Sequence, residues 1–166
     1  MLDQPIRARR TAPLYTAEQR ARRNASPWTL VQGVLAPLQF LVFFVSVILV
    51  VRYLSTGAGL PLATASIVLK TFVLYAIMVT GAIWEKDVFG KYLFAPAFFW
   101  EDAVSMVVIA LHTAYLVMLL GKIGDPVTQL SVALAGYAAY VINAAQFVWK
   151  LRLARLDSAS SAEVAA

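Results

Sequence analysis

Four long apolar runs, parted by short polar or glycine-containing breaks, account for most of the chain. They open at Pro27, Pro61, Pro96 and Pro126. Proline suits the first helical position, where its missing N–H would be unpaired anyway. Ser26 and Asp125 stand as N-caps before two of the runs. The pattern predicts helices over 27–53, 61–84, 96–120 and 126–150. At about 1.5 Å per residue each can cross about 30 Å of hydrocarbon. Pro37 should kink the first helix, Gly57 and Gly59 make the first turn, and Gly121 and Gly124 make the third. The expected fold class is all-α: a polytopic membrane protein with a four-transmembrane-helix bundle over residues 27–156. Residues 1–26 read as a basic cytoplasmic tail and 157–166 as a disordered one. A capping box from Thr16 to Gln19 offers the start of a short surface helix, with full disorder as the alternative. The arginines are not followed by the apolar core and small-residue cleavage site of a signal peptide.

Composition supports the membrane reading. Of 166 residues, 61% are hydrophobic and 14% charged, with a mean hydropathy of +0.73. The absence of Cys excludes disulfides, thiol nucleophiles and thiolate metal sites. A single His excludes multi-histidine zinc, di-iron and bis-imidazole haem sites within one chain. There is no glycine-rich phosphate loop. The net charge of +5 gathers at the ends, which fits membrane orientation rather than nucleic-acid binding. Arg7, Arg9, Arg10, Arg20, Arg22 and Arg23 lie in the N-terminal tail. Lys86 and Lys91 lie in the 85–95 loop, and Lys150, Arg152 and Arg155 at the C-terminal end, against only Arg52 and Lys122 on the opposite loops. Both termini are therefore expected in the cytoplasm.

A bundle in lipid turns its polar groups inward. Gln32, Gln39, Ser46 and Tyr53 recur every seven residues, on one helical face. Ser66 and Lys70 lie on the second helix; Glu101, Ser105 and His112 share a face of the third; Tyr140, Asn143 and Gln146 lie on the fourth. Counting about 1.5 Å per residue puts Lys70 about 14 Å deep and His112 about 12 Å deep. Glu85, Glu101 and Asp102 sit at the cytoplasmic boundary. The expectation is a basic layer at mid-depth and an acidic one at the mouth. Plainer roles exist for each: carboxylates complement a helix start, a lone His or amide bonds across helices, and Lys70 snorkels.

Residues 84–100 hold seven aromatics: Trp84, Phe89, Tyr92, Phe94, Phe98, Phe99 and Trp100. An interfacial belt would explain the rings, but not the acids and lysines among them. Flat walls with a few polar groups suit a large planar ligand at the membrane surface.

Four strings carry a family resemblance: PWTLVQGVLAPLQF (27–40), IWEKDVFGKYLFAPAFFWED (83–102), ALHTAYL (110–116) and YVINAAQF (140–147). Over about 27–156 the chain resembles the 3-vinyl bacteriochlorophyllide hydratases, also called 2-vinyl bacteriochlorophyllide or chlorophyllide hydratases. The resemblance implies a bacterial inner-membrane enzyme, cytoplasmic or intracytoplasmic, of bacteriochlorophyll biosynthesis. Such a hydro-lyase adds water to the C3 vinyl group of chlorophyllide a or its bacteriochlorophyllide relative, giving the 3-(1-hydroxyethyl) compound. The implied partners are a Mg-tetrapyrrole substrate, the lipid membrane and the pathway enzymes that receive the pigment. No cofactor and no metal of the protein's own is implied, because the substrate carries its own magnesium.

The residue inventory fits this chemistry. Hydrating an electron-rich vinyl needs an acid, an oriented water and an apolar slot. Glu101 is the expected proton donor, with Asp102 beside it. Adjacent helical residues diverge by about 100°, so Glu85 is an alternative partner. His112, or a water, would be the axial ligand of the pigment magnesium. Lys86 and Lys91 would hold the substrate propionate. Lys70, Trp84, Phe98, Phe99, Trp100, Asn143 and Gln39 complete the expected binding surface. Two rival classes remain at this stage. A non-catalytic pigment-binding or assembly scaffold explains the rings and His112 but has no need of buried acids. A proton-coupled carrier would use Lys70 and the acids as a relay, but carriers show inverted repeats and broken helices.

Overall fold

The computed structural model describes residues 14–164, with side chains as far as Arg155. Arg7, Arg9 and Arg10 of the basic tail lie outside the described residues. Five helices follow one another: α1 (Ala17–Ala25), α2 (Pro27–Thr56), α3 (Leu60–Phe89), α4 (Phe99–Leu120) and α5 (Pro126–Val164). Four of them, α2, α3, α4 and α5 as far as Arg155, are long and apolar enough to cross a membrane. The all-α fold and the four spans thus match the hydropathy pattern.

Local chemistry explains most boundaries. The capping box at Thr16 is formed in both directions: Gln19 N–H donates to Thr16 Oγ1 (3.2 Å), and Thr16 N–H to Gln19 Oε1 (2.9 Å). Gly57 and Gly90 close α2 and α3 in the left-handed conformation, at φ 71° and 80°. Asp125 caps α5 by accepting from Thr128 N–H at 2.8 Å, and the Thr128 hydroxyl together with that N–H holds its exposed carboxyl below the usual range. Ser26 behaves differently from expectation. Its hydroxyl makes no cap bond and donates instead to Asp87, 2.8 Å away, which ties the start of α2 to the end of α3.

The expected bounds differ most around residue 90. α3 continues to Phe89, so Glu85 stands on a helix rather than in a loop. α4 starts at Phe99, not Pro96. Residues 95–98 form a turn closed by Phe98 N–H to Ala95 C=O (2.8 Å), with Pro96 inside it. Pro37 lies inside α2 without ending it. At the far end α5 is helical to Val164, past the expected 150 and through most of the segment expected to be disordered.

α2 runs against α3 and α4 against α5, so the bundle is two antiparallel hairpins that meet along a slighter seam. Phe43, Val50, Ile67, Leu74, Val108 and Tyr137 are buried between the spans. Leu41, Phe44, Ile48, Leu69 and Phe72 face outward, as lipid requires of a chain with this hydropathy. Gln39 and Ser46 are buried on the predicted inner face of α2. The Ser46 hydroxyl bonds both Ser66 and Tyr137, joining three spans.

Candidate active site

At one end of the bundle the end of α3, the start of α4 and the α5 stretch around Lys150 converge on the 90–98 segment. Three carboxyl groups are buried there: Glu85, Glu101 and Asp102, each 5% exposed or less. They divide into two arrangements. Glu101 takes Lys150, with Nζ 2.5 Å from Oε2. The same ammonium bonds the Ala97 carbonyl and lies 5.1 Å from the centre of the Phe98 ring. Asn143 donates to the Glu101 carbonyl (2.7 Å) and accepts from Ser105 (3.3 Å), so α5 grips α4 at two successive turns.

Glu85 and Asp102 form the second arrangement. They come from different helices, yet their carboxyl groups come within hydrogen-bonding reach of each other. Two carboxyl groups so placed bond only with a proton between them. Each also accepts a backbone N–H from the intervening segment: Phe94 to Asp102 at 2.7 Å and Ala95 to Glu85 at 3.2 Å. Phe94 is held there at φ 58°, a left-handed conformation unusual for a bulky residue. The pair fastens the segment from beneath.

Aromatic rings wall this end. Phe98 is buried, edge-on to Trp84 (5.8 Å) and Phe89 (5.7 Å), and stacked on Phe147 (5.8 Å). Tyr15, which precedes α1, stacks on Phe89 at 5.8 Å under the Arg23 guanidinium. Burial pushes the Tyr15 hydroxyl up, and Arg23 partly opposes it. The Trp84 indole donates to Thr29 at 2.9 Å. Phe99 and Trp100 do not join this wall: they are 47% and 71% exposed and point outward. Lys86 and Lys91 are exposed; Lys86 bonds the Gly90 carbonyl and lies over the Tyr92 ring.

Deeper in the seam stands the basic layer, with Lys70 and His112 fully buried. The Lys70 ammonium lies 4.1 Å from the Tyr140 ring centre and 5.3 Å from that of Tyr137. The His112 ring stands 5.7 Å from Tyr137, its Nδ1 2.8 Å from the Val108 carbonyl. Gly136 makes room for it, since a Cβ there would come within 2.9 Å of the imidazole. Gln39 is buried one turn before Phe43.

Lys150, Tyr15 and Phe147 are site residues that sequence reasoning did not single out. Lys150 counted there only as a positive charge at a helix end. Tyr15 lies in the polar tail, and nothing in its neighbours signals that it folds back over the rings.

Comparison with known proteins bears on what such a site does. No solved structure matches the chain. A curated protein of Cereibacter sphaeroides described as 2-vinyl bacteriochlorophyllide hydratase is 70% identical over 145 residues, 87% of this chain and 89% of that protein. One of Rhodobacter capsulatus with the same description is 67% identical over 147 residues, 89% of this chain and 85% of that protein. The family model for 2-vinyl bacteriochlorophyllide hydratase (BCHF) matches residues 15–153, which take in three spans whole, nearly all of the fourth, the three buried acids and Lys150. The chain belongs to the 2-vinyl bacteriochlorophyllide hydratase family.

Proposed function

We propose that this chain performs the hydration for which its family is named, as a hydro-lyase of bacteriochlorophyll biosynthesis, and that the Glu85–Asp102 pair supplies the proton. The observation that carries the site is the meeting of two buried carboxyl groups from different helices under an aromatic wall at the end of the bundle, a contact that takes one proton between them. Glu101 is the less suited donor, because Lys150 holds it as an ion pair. Its role is to fix the α4 start against α5.

In this reading the vinyl CH2 takes the proton from the pair. Positive charge develops on the adjacent carbon and spreads into the macrocycle. Water adds to that carbon and returns a proton to the carboxylate left behind, so the net change is one H and one OH across the double bond. General acid catalysis of this kind is worth roughly 10²–10⁴ in rate. Trp84 and Phe98 flank the ring plane. The exposed Lys86 and Lys91 take the propionate. Phe99 and Trp100 serve as interfacial anchors. The macrocycle lies across this end of the bundle, and Asn143, Gln39, Lys70 and His112 meet it from the seam through water. Asp102 and His112 are ten residues apart on one helix, about 15 Å along its axis. That span favours a water on His112, rather than the imidazole itself, as the axial ligand of the substrate magnesium. The excess of Lys and Arg orients the chain in the bacterial inner membrane with both termini in the cytoplasm. The product stays apolar and passes within the membrane to the next enzyme.

The test is hydration of a vinyl (bacterio)chlorophyllide by membranes carrying single variants, read as a mass gain of one water. Glu85→Gln and Asp102→Asn should each lower the rate by about 10²-fold or more while pigment still binds. Glu101→Gln should lower it less. Near-normal activity in both pair variants would place the acid elsewhere, and pigment bound but unchanged by the unmodified chain would make it a scaffold.

A further inference from the structure

Among the described residues, the buried side-chain atoms with no hydrogen-bond partner are both amide atoms of Gln39, Lys70 Nζ, His112 Nε2 and Gln146 Oε1. They come one residue from each span, and other contacts fix their order along the seam. Lys150 meets Glu101 at the mouth. Gln146 lies one turn further in on α5, and Asn143 meets Ser105 a turn beyond that. Tyr140 then lies under the Lys70 ammonium, and Tyr137 beside His112. On α5 these residues recur every three or four positions, which is one helical face. Gln39, one turn from the Phe43 ring that also flanks Lys70, approaches the same line from α2.

We propose that this line is a file of water molecules running from the carboxyl cluster to His112, and that it holds the water the reaction consumes behind a macrocycle that covers the mouth. The proposal rests on the hydratase reading. Its chemistry comes from the mix of unpartnered groups. Lys70 Nζ and Gln39 Nε2 can only donate; Gln39 Oε1 and Gln146 Oε1 can only accept. His112 Nδ1 engages a carbonyl, which accepts only, so Nδ1 carries the hydrogen and Nε2 is an acceptor. An anion would serve the donors alone and a cation the acceptors alone. Water serves both, and buried water is found where two to four polar partners surround it. Lipid on the outer faces can satisfy none of them. Among the described residues Lys70 has no carboxylate beside it, so water adds to the three aromatic rings around it in stabilising its charge. The Gly136 notch fixes the imidazole, and with it the inner end of the file.

The full chain has no cysteine, so single cysteines report directly. In membrane vesicles, Gln39→Cys and Gln146→Cys should react with a methanethiosulfonate ammonium reagent about tenfold faster or more than two controls, because the reactive thiolate forms only in water. The controls are Leu74→Cys, in the apolar core, and Leu41→Cys, on the lipid face. Equal rates at all four positions would overturn the proposal. Should a variant fail to fold, hydroxyl-radical footprinting of the unmodified chain decides: Tyr137 and Tyr140, both buried, should be oxidised by radicals formed in adjoining water. Their protection would equally overturn it. Gln39→Leu should lower kcat about tenfold with pigment affinity unchanged, since a buried acceptor and donor are replaced by an apolar group. Lost affinity with intact kcat would make Gln39 a direct pigment contact and remove the file from the reaction. The labelling needs no activity, so failure of the carboxyl pair as proton donor and failure of the file give different results.

Discussion

Lys150 ends between two acceptors, the Glu101 carboxylate and the Ala97 carbonyl. Its side chain is 26% exposed, whereas that of Glu101 is 6% exposed. The asymmetry sets the expected cost of breaking the pair. Lys150→Met leaves a buried carboxylate alone and should destabilise the protein by about 3 kcal/mol, the low end for a buried pair because Lys150 meets some solvent. Adding Glu101→Gln should restore most of that loss. The check is a double-mutant cycle of unfolding in detergent; a single-variant loss below about 1 kcal/mol would reduce the pair to a surface contact. The three acids were legible in sequence because carboxylates stand out in an apolar run. Their division into an ion pair and a carboxyl–carboxyl pair was not, since the partners of Glu85 and Glu101 lie 17 and 49 residues away and depend on how the helices are rotated.

At the scale of elements, hydropathy located every span, and its errors around residue 90 share one cause. Pro27 and Pro126 do open helices, while Pro96 sits in a turn just ahead of α4. Local preference allows either outcome at a proline. Carboxylates from α3 and α4 decide this one, by capping the N–H groups of Phe94 and Ala95 and holding residues 90–98 out of the helix. The same contacts draw Glu85 onto the last turn of α3. The polar face at Gln32, Gln39 and Ser46 followed from helical period alone and is found inward: Gln32 donates to Thr80 on α3 at 2.7 Å, and Gln39 and Ser46 are buried. The outward turn of Phe99 and Trp100 had no such signal, because aromatic rings suit a binding wall and a membrane interface equally.

For the whole molecule, four spans carry the chain back to the side on which it starts. Ala58 lies in the α2–α3 turn, at the end remote from the carboxyl cluster. With cytoplasmic termini, Ala58→Cys should be labelled by an impermeant thiol reagent only from the periplasmic side. Labelling only from the cytoplasm would invert the chain and the placement of the site.

The surroundings of Lys70 also bear on how the protein is made. The ammonium is flanked by Phe43 of α2 and by Tyr137 and Tyr140 of α5. A ribosome emits α5 last, so for most of synthesis α3 holds a lysine at mid-bilayer with only part of its aromatic cage. A lysine at the centre of an isolated span costs about 3 kcal/mol in insertion. A chain ending at residue 125 should therefore be degraded or extracted faster than the full chain in a pulse-chase experiment, and equal lifetimes would show that α2 alone shelters the charge. The last span thus completes a nascent chain whose lysine, until then, marks it as unfinished to membrane quality control.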